Sequence, residues 1–406
     1  MAYDLKEHFL ATYYIESQQD LHGVAETIAD IESTGKWLGT GQPSELFLRC
    51  RAQVGEIREE APGRGEVDIL FPTINLNMEE AAFPGLWLTM IGGGTHALVA
   101  YEKSRLIDFK LPPQLLKHFP GPSFGPEGTR AWLGAGPDDL IIGTIVKPTA
   151  GLTPAEVADI CYQAAVGGVR FIKDDEKMLN ASYCPLAERV RRVSEALRRA
   201  EDKTGKRVLY APHITTTPDR LLDNAHIALE NGATALMVNF FAAGFNSLDT
   251  LRRQVNPPVP IYAHCGGKEA FGRAPGQGVD PCAVARFVRL LGGDYFRVST
   301  LLGYLVGGQP EEVRALARVM SEPMDGIQPM MPAVSGGLSP RTLAANLEVF
   351  GTQALMLAGT GITLHPWGVQ AGTAALRQAA TAFQQGISVD DYALTHDELR
   401  LMLAMR

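Results

Sequence analysis

The sequence predicts an α/β protein in which an N-terminal α+β domain, ferredoxin-like in type, precedes a C-terminal (β/α)8 TIM barrel. Its 406 residues exceed one ordinary domain and suit a barrel of about 250 residues with a smaller partner. From residue 139 onward, short apolar runs rich in β-formers alternate with amphipathic stretches of helical period. We count eight such runs, and eight strands close a barrel of this kind.

The N-terminal part has a different pattern. Residues 22–35 have the period of a helix, whereas residues 46–60 and 66–74 are typical of paired strands. A stretch dense in Pro and Gly, residues 118–128, then marks a connection between domains. We therefore predict an N-terminal domain at 1–135 and a barrel at 136–406. The eight predicted barrel strands lie at 139–148, 169–175, 207–214, 235–241, 260–265, 295–300, 330–335 and 354–359.

Charge and cysteine usage exclude several classes of protein. There are 37 Lys and Arg against 45 Asp and Glu, a formal charge of −8, which argues against nucleic-acid or anionic-membrane partners. The five cysteines form no CxxC pair, which argues against a disulfide framework or a structural zinc site. The N-terminal residues lack the apolar core of a signal peptide. We expect a cytoplasmic protein with reduced thiols.

Polar residues occur at the C-terminal end of nearly every predicted barrel strand. In such barrels the interior is packed and the chemistry takes place at the C-terminal ends of the strands. The sequence therefore predicts one polar rim, to which the strands in turn contribute Lys147, Lys173 to Glu176, His213, Asn239, His264, Arg297 with Ser299, Ser335 to Gly337, and Gly359 to Gly361.

Residues 173–176 read Lys-Asp-Asp-Glu and end the second predicted strand. Strand alternation places Lys173 and Asp175 on one face and Asp174 on the other. A charge run is most often a solvated surface. At a barrel rim the lysine has three other interpretations: an ion pair, a Schiff-base amine, or a carbamate formed with CO2 that supplies an oxygen ligand. Three oxygen ligands with open water positions suit Mg²⁺.

Two glycine-containing turns follow the seventh and eighth predicted strands, Ser-Gly-Gly at 335–337 and Gly-Thr-Gly at 359–361. Ordinary turn glycines explain either one by itself. Barrels of this class commonly bind phosphate at these two loops, where backbone N–H groups are free. The pair therefore predicts one phosphate site opposite the acidic cluster of the second strand.

Four motifs in fixed order resemble the large subunit of RuBisCO: TIVKPTAGL at 144–152, GGVRFIKDDE at 167–176, PAVSGG at 332–337 and GITLHPWG at 361–368. IESTGKW at 31–37 resembles a segment of that family's N-terminal domain. The resemblance covers nearly the whole chain.

The resemblance implies a Mg²⁺ cofactor held by Asp175, Glu176 and a CO2-derived carbamate on Lys173. It also implies that Lys147, next to the bound cation, transfers protons, and that His264 belongs to the catalytic set. The family's N-terminal domain covers the barrel mouth of a second subunit, so the resemblance implies a homodimer with shared active sites. The implied substrate and phosphate contacts are Lys36, Trp37, Arg297, Ser335, Gly336, Gly337, Gly359 and Thr360.

The chain departs from the family pattern at positions on which carboxylation depends. Tyr304 stands at the place of the sixth-loop lysine that stabilises the carboxylated intermediate. Cys265 replaces the arginine that binds the second phosphate, and Arg297 replaces a histidine of the sixth strand. Thr149 and Gly93 replace a lysine and an asparagine. The chain therefore resembles the RuBisCO-like proteins, the non-carboxylating form IV.

The resemblance implies a Mg²⁺-dependent lyase or isomerase that enolises a small phosphorylated keto sugar or keto sugar acid without net CO2 fixation. Our first expectation is decarboxylation or C–C cleavage of a 3-oxo sugar acid phosphate of the 3-oxo-isoapionate 4-phosphate type. The alternatives are a 5-methylthioribulose 1-phosphate isomerase or a 2,3-diketo-5-methylthiopentyl-1-phosphate enolase. A non-enzymatic binding or stress-response module is the third hypothesis.

Overall fold

The computed structural model describes residues 5–98 and 101–405. The chain divides into two compact units. The first unit, called here the N-terminal unit, contains the described residues up to 120 together with 267–290 and 325–327. The second, the barrel unit, contains residues 121–266, 291–324 and 328–405. The predicted domain division at 135/136 stays a prediction.

Thirteen strands are assigned in the described residues. In chain order they are β1 His8–Glu16, β2 Gln53–Ala61, β3 Arg64–Pro72, β4 Lys103–Lys110, β5 Ile141–Ile145, β6 Phe171–Lys173, β7 Leu209–Ala211, β8 Leu236–Asn239, β9 Ile261–His264, β10 Gly278–Val279, β11 Tyr295–Ser299, β12 Met331–Ser335 and β13 Leu355–Ala358.

The helices of the described residues are mostly those that connect these strands. In chain order they are α1 Leu21–Ile31, α2 Glu45–Cys50, α3 Met78–Trp87, α4 Pro113–Leu116, α5 Gly125–Leu133, α6 Pro154–Gly167, α7 Leu186–Thr204, α8 Leu221–Glu230, α9 Phe240–Ala243, α10 Asn246–Gln254, α11 Lys268–Gly272, α12 Pro281–Leu290, α13 Pro310–Ser321, α14 Pro340–Phe350, α15 Thr360–Thr363, α16 Val369–Gln384, α17 Val389–Ala393 and α18 Asp397–Ala404. Short 3₁₀ turns occupy Thr73–Asn75 and Pro218–Arg220, and a π turn occupies Leu88–Gly92.

The N-terminal unit is built on a five-stranded sheet of order β10-β4-β1-β3-β2. The neighbours β4-β1-β3-β2 are antiparallel, and β10 joins β4 in parallel. Helix α1 packs on this sheet through its apolar face, which includes Leu21, Val24 and Ile28. The predicted α+β layer is confirmed, including the pairing of β2 with β3.

One part of the N-terminal prediction is wrong, because residues 46–50 form helix α2 and not the start of a strand. The Ser44 side chain accepts a hydrogen bond from the Phe47 backbone N–H at 3.1 Å. This N-cap, followed by Glu45 in the first turn, stabilises a helix start that outweighs the strand-like apolar pattern.

The barrel unit contains an eight-stranded, all-parallel sheet of order β7-β6-β5-β13-β12-β11-β9-β8. An isolated parallel bridge between His213 and Met237 joins the two ends of this order and closes the barrel. Each of the eight predicted runs contains one of these strands, so the predicted barrel is confirmed.

Apolar side chains fill the barrel interior. The closely packed cluster includes Phe171, Leu209, Tyr262, Tyr295 and Leu357, which all lie on barrel strands and are fully buried. A packed interior leaves the ends of the strands as the places where polar groups reach solvent. Among the described residues, no helix is both long and apolar enough to cross a membrane.

Candidate active site

The C-terminal ends of the barrel strands bring the predicted polar rim together. Strand β6 lies between β5 and β7. Its last residue, Lys173, pairs in register with Ile145 of β5, and Lys147 follows Ile145 by two positions. On the other side of the barrel, His264 ends β9 in register with Asn239, and Ser299 ends β11 in register with Ser335. The backbone positions of these residues therefore lie at a similar height along the barrel axis.

Lys173 is a buried lysine, with only 1% of its surface exposed. Burial lowers the pKa of its ammonium to about 8, against the opposite effect of the carboxylates of Glu176, Asp175 and Asp174. The Nζ atom donates to the backbone carbonyl of Asp174 at 2.9 Å and lies 5.5 Å from the centre of the Tyr262 ring. A solvated charge run is therefore excluded for this residue. A lysine with a lowered pKa has more of the neutral amine that attacks CO2.

Asp175 is fully buried, and its carboxylate forms an ion pair with Lys147. The Lys147 Nζ atom also lies 3.3 Å from the hydroxyl of Thr149, and its side chain is 26% exposed. The second Asp175 oxygen accepts from the Lys177 backbone N–H at 3.0 Å. The predicted proton-transferring lysine therefore lies directly beside a predicted metal ligand and reaches the open side of the rim.

His264 faces Glu176 across the barrel mouth, with 3.7 Å between Nε2 and the carboxylate. Burial, with the positive charges of Lys173 and Arg297 among its neighbours, lowers the pKa of His264 well below its ordinary value. Its Nδ1 accepts from the Gly266 backbone N–H at 3.1 Å, so the single proton of the neutral ring lies on Nε2. His264 is therefore a neutral hydrogen-bond donor directed into the mouth.

His213, the other histidine at a predicted strand end, is also buried. Its Nε2 lies 2.6 Å from the Thr215 hydroxyl, and its Nδ1 has no hydrogen-bond partner among the described residues. Burial, with Lys173 and Arg189 nearby, lowers its pKa to about 3. A buried ring nitrogen without a partner is unusual in a folded protein.

The two glycine turns adjoin one another. Gly336 and Gly337 have φ values of 96° and 98°, and successive backbone N–H groups in such turns form concave anion sites. A Cβ atom on Gly361 would fall 2.2 Å from the carbonyl oxygen of Leu338, so the eighth turn approaches the seventh closely. Ser335 precedes the first turn and is buried.

The eighth turn also contacts the lysine of the first strand. A Cβ atom on Gly359 would lie 3.5 Å from Cε of Lys147, and Thr360 begins the short helix α15. The geometry thus places both predicted phosphate turns and Lys147 in one connected region of the barrel rim.

The loop after β11 covers the seventh turn with apolar side chains. The ring of Tyr304 lies over Gly337, where a Cβ atom would meet it at 3.0 Å, and Leu305 lies over Gly336. Leu302, in the same loop, has a φ of 62°, a strained value for a residue other than glycine. No ammonium group stands in this loop, since residues 301–308 contain no lysine.

Arg297 and Cys265 are neighbours on β11 and at the end of β9. The Arg297 Nε atom donates to the Cys265 sulfur at 3.4 Å. The positive charge of Arg297 contributes to the lowered pKa of His264. It also acts to lower the pKa of Tyr262, but burial has the larger effect there and the pKa of Tyr262 is raised. A guanidinium group is thus held at the mouth beside the neutral His264.

Lys36 and Trp37 lie in the N-terminal unit, in the segment after α1. Trp37 donates from Nε1 to the Gly41 carbonyl at 3.1 Å and packs edge-on against Phe47, with 5.0 Å between ring centres. Its side chain stays 40% exposed. The segment therefore presents a cation and an indole ring on the surface of this unit.

Glu32 is a functional candidate that the sequence argument missed. Its buried carboxylate accepts from the Thr95 backbone N–H at 2.6 Å and from the Thr95 hydroxyl. A Cβ atom on Gly93 would fall 1.8 Å from this carboxylate, so a larger residue there would displace the Glu32 side chain. Glu32 lies in the IESTGKW motif at 31–37, and this motif was the sequence signal that could have identified it as a candidate. The carboxylate fixes the residue that ends α1, four positions before Lys36.

Comparison with known proteins agrees with this arrangement. Residues 2–115 match the model of the ribulose bisphosphate carboxylase large chain N-terminal domain, and residues 127–405 match that of the large chain catalytic domain. The chain belongs to the RuBisCO large-chain family. The resemblance inferred from the motifs is confirmed.

Three relatives illustrate the range of this family. A 3-oxo-isoapionate-4-phosphate decarboxylase of Rhizobium etli is 33% identical over 97% of both chains. The rubisco-like protein of Burkholderia fungorum has a TM-score of 0.87 and 31% identity over 99% of this chain and 100% of its own. The dimeric archaeal Rubisco of Hyperthermus butylicus has a TM-score of 0.89 and 30% identity over 98% and 95%. These sequence identities are too similar to show which relative's reaction this chain shares. The residues of the site must therefore distinguish among the possible reactions.

The residues present fit the Mg²⁺ ion and lysine carbamate that RuBisCO-family enzymes generally use. Within the described ranges, no group of three or more His, Cys, Asp or Glu side chains could hold a metal ion. Asp175 and Glu176 would supply two carboxylates, and a carbamate on the buried amine of Lys173 would supply the third oxygen ligand. Such hard oxygen donors suit Mg²⁺, which when bound polarises a substrate carbonyl.

Proposed function

We propose that this RuBisCO-family enzyme is a Mg²⁺-dependent decarboxylase of a phosphorylated 3-oxo sugar acid, without net CO2 fixation. The observation that carries the proposal is the pairing of a complete enolising set with an altered second anion site. The proposed enolising set comprises Lys147, Lys173, Asp175 and Glu176. Its support is the ion pair between Lys147 and Asp175 and the effect of the Asp175 and Glu176 carboxylates on the pKa of Lys173. The name of the Rhizobium etli relative agrees with this reaction.

The altered anion site favours a substrate with a carboxylate. Arg297 presents a planar guanidinium group that binds carboxylate oxygens well, and neutral His264 adds an Nε2 donor. The seventh and eighth turns, which include Ser335 and Thr360, would hold the phosphate. A short keto chain with a phosphate at one end and a carboxylate at the other therefore fits this rim.

The proposed step requires one proton from the chain. The bond between the carboxylate carbon and its neighbouring carbon breaks, CO2 leaves, and the electron pair passes to the keto oxygen as an enediolate. Lys147, whose Nζ atom pairs with the Asp175 carboxylate, then donates a proton to the carbon that lost CO2. Tyr304, where a carboxylating enzyme has a lysine, offers no cation to stabilise an added carboxylate.

One observation favours a second candidate, an isomerase or enolase that acts on a methylthio sugar phosphate. The loop over the seventh turn exposes Leu302, Tyr304 and Val306, and such apolar side chains suit an apolar substrate end. The Arg297 guanidinium argues against it, because a planar cation at the mouth favours an anionic substrate end over an apolar one.

A substrate panel tests the proposal. The protein is incubated with Mg²⁺, bicarbonate and D₂O together with 3-oxo-isoapionate 4-phosphate, 5-methylthioribulose 1-phosphate or ribulose 1,5-bisphosphate. We expect CO2 release and deuterium uptake with the first compound alone. Isomerisation of the second compound would support the alternative, and incorporation of labelled CO2 into the third would contradict the proposal.

We also propose that Lys36 and Trp37 of one subunit complete the barrel site of another in a homodimer. The similar Rubisco of Hyperthermus butylicus is dimeric and that of Pyrococcus horikoshii is octameric, which supports self-association of this chain. Subunit mixing tests this proposal. Lys173→Ala and Trp37→Ala chains should each be inactive alone. After random exchange, half of the dimers contain one chain of each kind, and one of the two sites in such a dimer is intact. The mixture should therefore regain about a quarter of wild-type turnover. No recovery despite demonstrated exchange would contradict shared sites.

A further inference from the structure

Asp174 stands between two predicted ligands of the site, yet its side chain points away from them. The carboxylate is completely buried and accepts three hydrogen bonds. One oxygen accepts from Arg189 Nε at 3.1 Å and from the His213 backbone N–H at 3.0 Å. The other accepts from the Tyr210 hydroxyl at 2.9 Å. Asp174 thereby fixes the end of β6 to α7 and to the end of β7.

Arg189 extends this connection to the loop after Glu176. Its Nη1 donates to the carbonyls of Cys184 at 2.8 Å and Leu179 at 3.2 Å, and its Nη2 donates to that of Met178 at 3.4 Å. Arg189 itself is completely buried. One guanidinium group thus holds both the Asp174 carboxylate and the backbone of residues 178–184.

The same loop reaches the segment that follows Lys147. The hydroxyl of Tyr183 accepts from the Gly151 backbone N–H at 3.2 Å. The buried pair of Asp174 and Arg189 is therefore connected to both segments that carry the enolising set, although neither residue of the pair faces the barrel mouth.

We propose that Asp174 and Arg189 are positioning residues that hold the Lys173, Asp175 and Glu176 segment in the arrangement that binds Mg²⁺. The pair fixes the strand end between two ligands and the loop directly after the third. This inference rests on the proposed function, since it requires the carbamate and Mg²⁺ site. Outer residues that orient metal ligands typically change metal affinity by about 10–100-fold when they are replaced.

A matched control is available in the same unit. Asp294 and Arg252 form a second buried ion pair, with side-chain exposures of 0% and 4%, at the opposite end of the barrel strands. Asp294→Asn removes the same charge from an equally buried pair. Any loss of general stability should therefore occur in both variants, whereas a loss of metal affinity should occur only in Asp174→Asn.

The experiment measures Mg²⁺ binding by calorimetry in saturating bicarbonate, and the lysine carbamate by ¹³C NMR with labelled bicarbonate. We expect Asp174→Asn to weaken Mg²⁺ binding by about 10–100-fold and to reduce the Mg²⁺-dependent carbamate signal. Asp294→Asn should bind Mg²⁺ within about threefold of wild type, while both variants lose thermal stability. Should Asp174→Asn fail to fold, the double variant Asp174→Asn with Arg189→Met removes both buried charges and is measured instead.

The possible results separate this inference from the proposed function. Wild-type affinity in Asp174→Asn, or equal weakening in Asp294→Asn, would overturn the positioning role while the proposed site remains. A wild-type protein without any Mg²⁺-dependent carbamate signal would overturn the proposed site and the positioning role with it.

Discussion

Asp294 and Asp175 lie at opposite ends of the barrel strands and have different surroundings, although both are buried. At the N-terminal end, Asp294 accepts from Arg252 and from the backbone N–H groups of Phe124, Gly125 and Ile261, and is completely buried. At the C-terminal end, Asp175 is also buried, but it pairs with a lysine that remains partly exposed.

Other groups at the C-terminal end are similarly incomplete. The Glu176 side chain is 40% exposed, and within the part of the chain that the structure describes the Nδ1 atom of His213 has no hydrogen-bond partner. Fully satisfied polar groups fix a structure, whereas groups with remaining capacity can bind a ligand. The comparison teaches that a buried aspartate with all its partners inside the protein, such as Asp294, is suited to a structural role, whereas Asp175 has the surroundings expected of a residue at the functional end of such a barrel.

The largest expected effect comes from Lys173→Ala at the C-terminal end. We expect complete loss of Mg²⁺-dependent turnover, because the third oxygen ligand can no longer form. The ¹³C carbamate signal should disappear as well. Lys147→Ala is the matched variant: it should lower kcat by about 10²–10⁴-fold while the carbamate signal and Mg²⁺ binding persist. Full turnover in either variant would show that the assigned role is wrong.

A smaller effect is expected from Arg297→Met. Loss of charge-assisted hydrogen bonds to the substrate carboxylate should raise KM by about 10–100-fold, which corresponds to roughly 1.5–3 kcal/mol, with a smaller change in kcat. Arg297→Lys keeps the charge but not the planar group, so its KM should lie between those of the wild type and Arg297→Met. Steady-state kinetics with the decarboxylation substrate measures both. An unchanged KM in Arg297→Met would remove this residue from the carboxylate site.

The smallest effect on turnover is expected at the N-terminal end. Asp294→Asn should leave kcat within about twofold of wild type, yet lower the melting temperature measurably, because Arg252 loses its buried partner. A large loss of turnover in a folded Asp294→Asn protein would contradict the separation of the two ends.

Local sequence patterns predicted most of the fold. Every barrel strand was found because each is a short apolar run between amphipathic helices, a signal that depends on neighbouring residues only. The strand predicted at residues 46–50 was wrong, because one capping hydrogen bond from Ser44 favours a helix. Strand β4 was not predicted, since its sequence mixes charged and apolar residues and its pairing with β1 supplies the stabilisation.

The candidate site was only partly predictable. Alternation correctly placed Asp174 on the face opposite Lys173 and Asp175, but gave no partner for it. Glu32 was missed because its carboxylate is bound by Thr95, which lies 63 positions later in the chain. Contacts of this kind depend on how distant segments pack, which the sequence pattern around either residue does not contain.

The sequence by itself determined the barrel strands and the polar residue types at their ends, because strand alternation and helical period are local properties of the chain. The tertiary structure alone decided which of those residues are buried and what each one contacts. Lys173 has a lowered pKa, and Arg297 lies against Cys265, only because the strands close into a barrel. Desolvation and ion pairing depend on surroundings that distant segments supply.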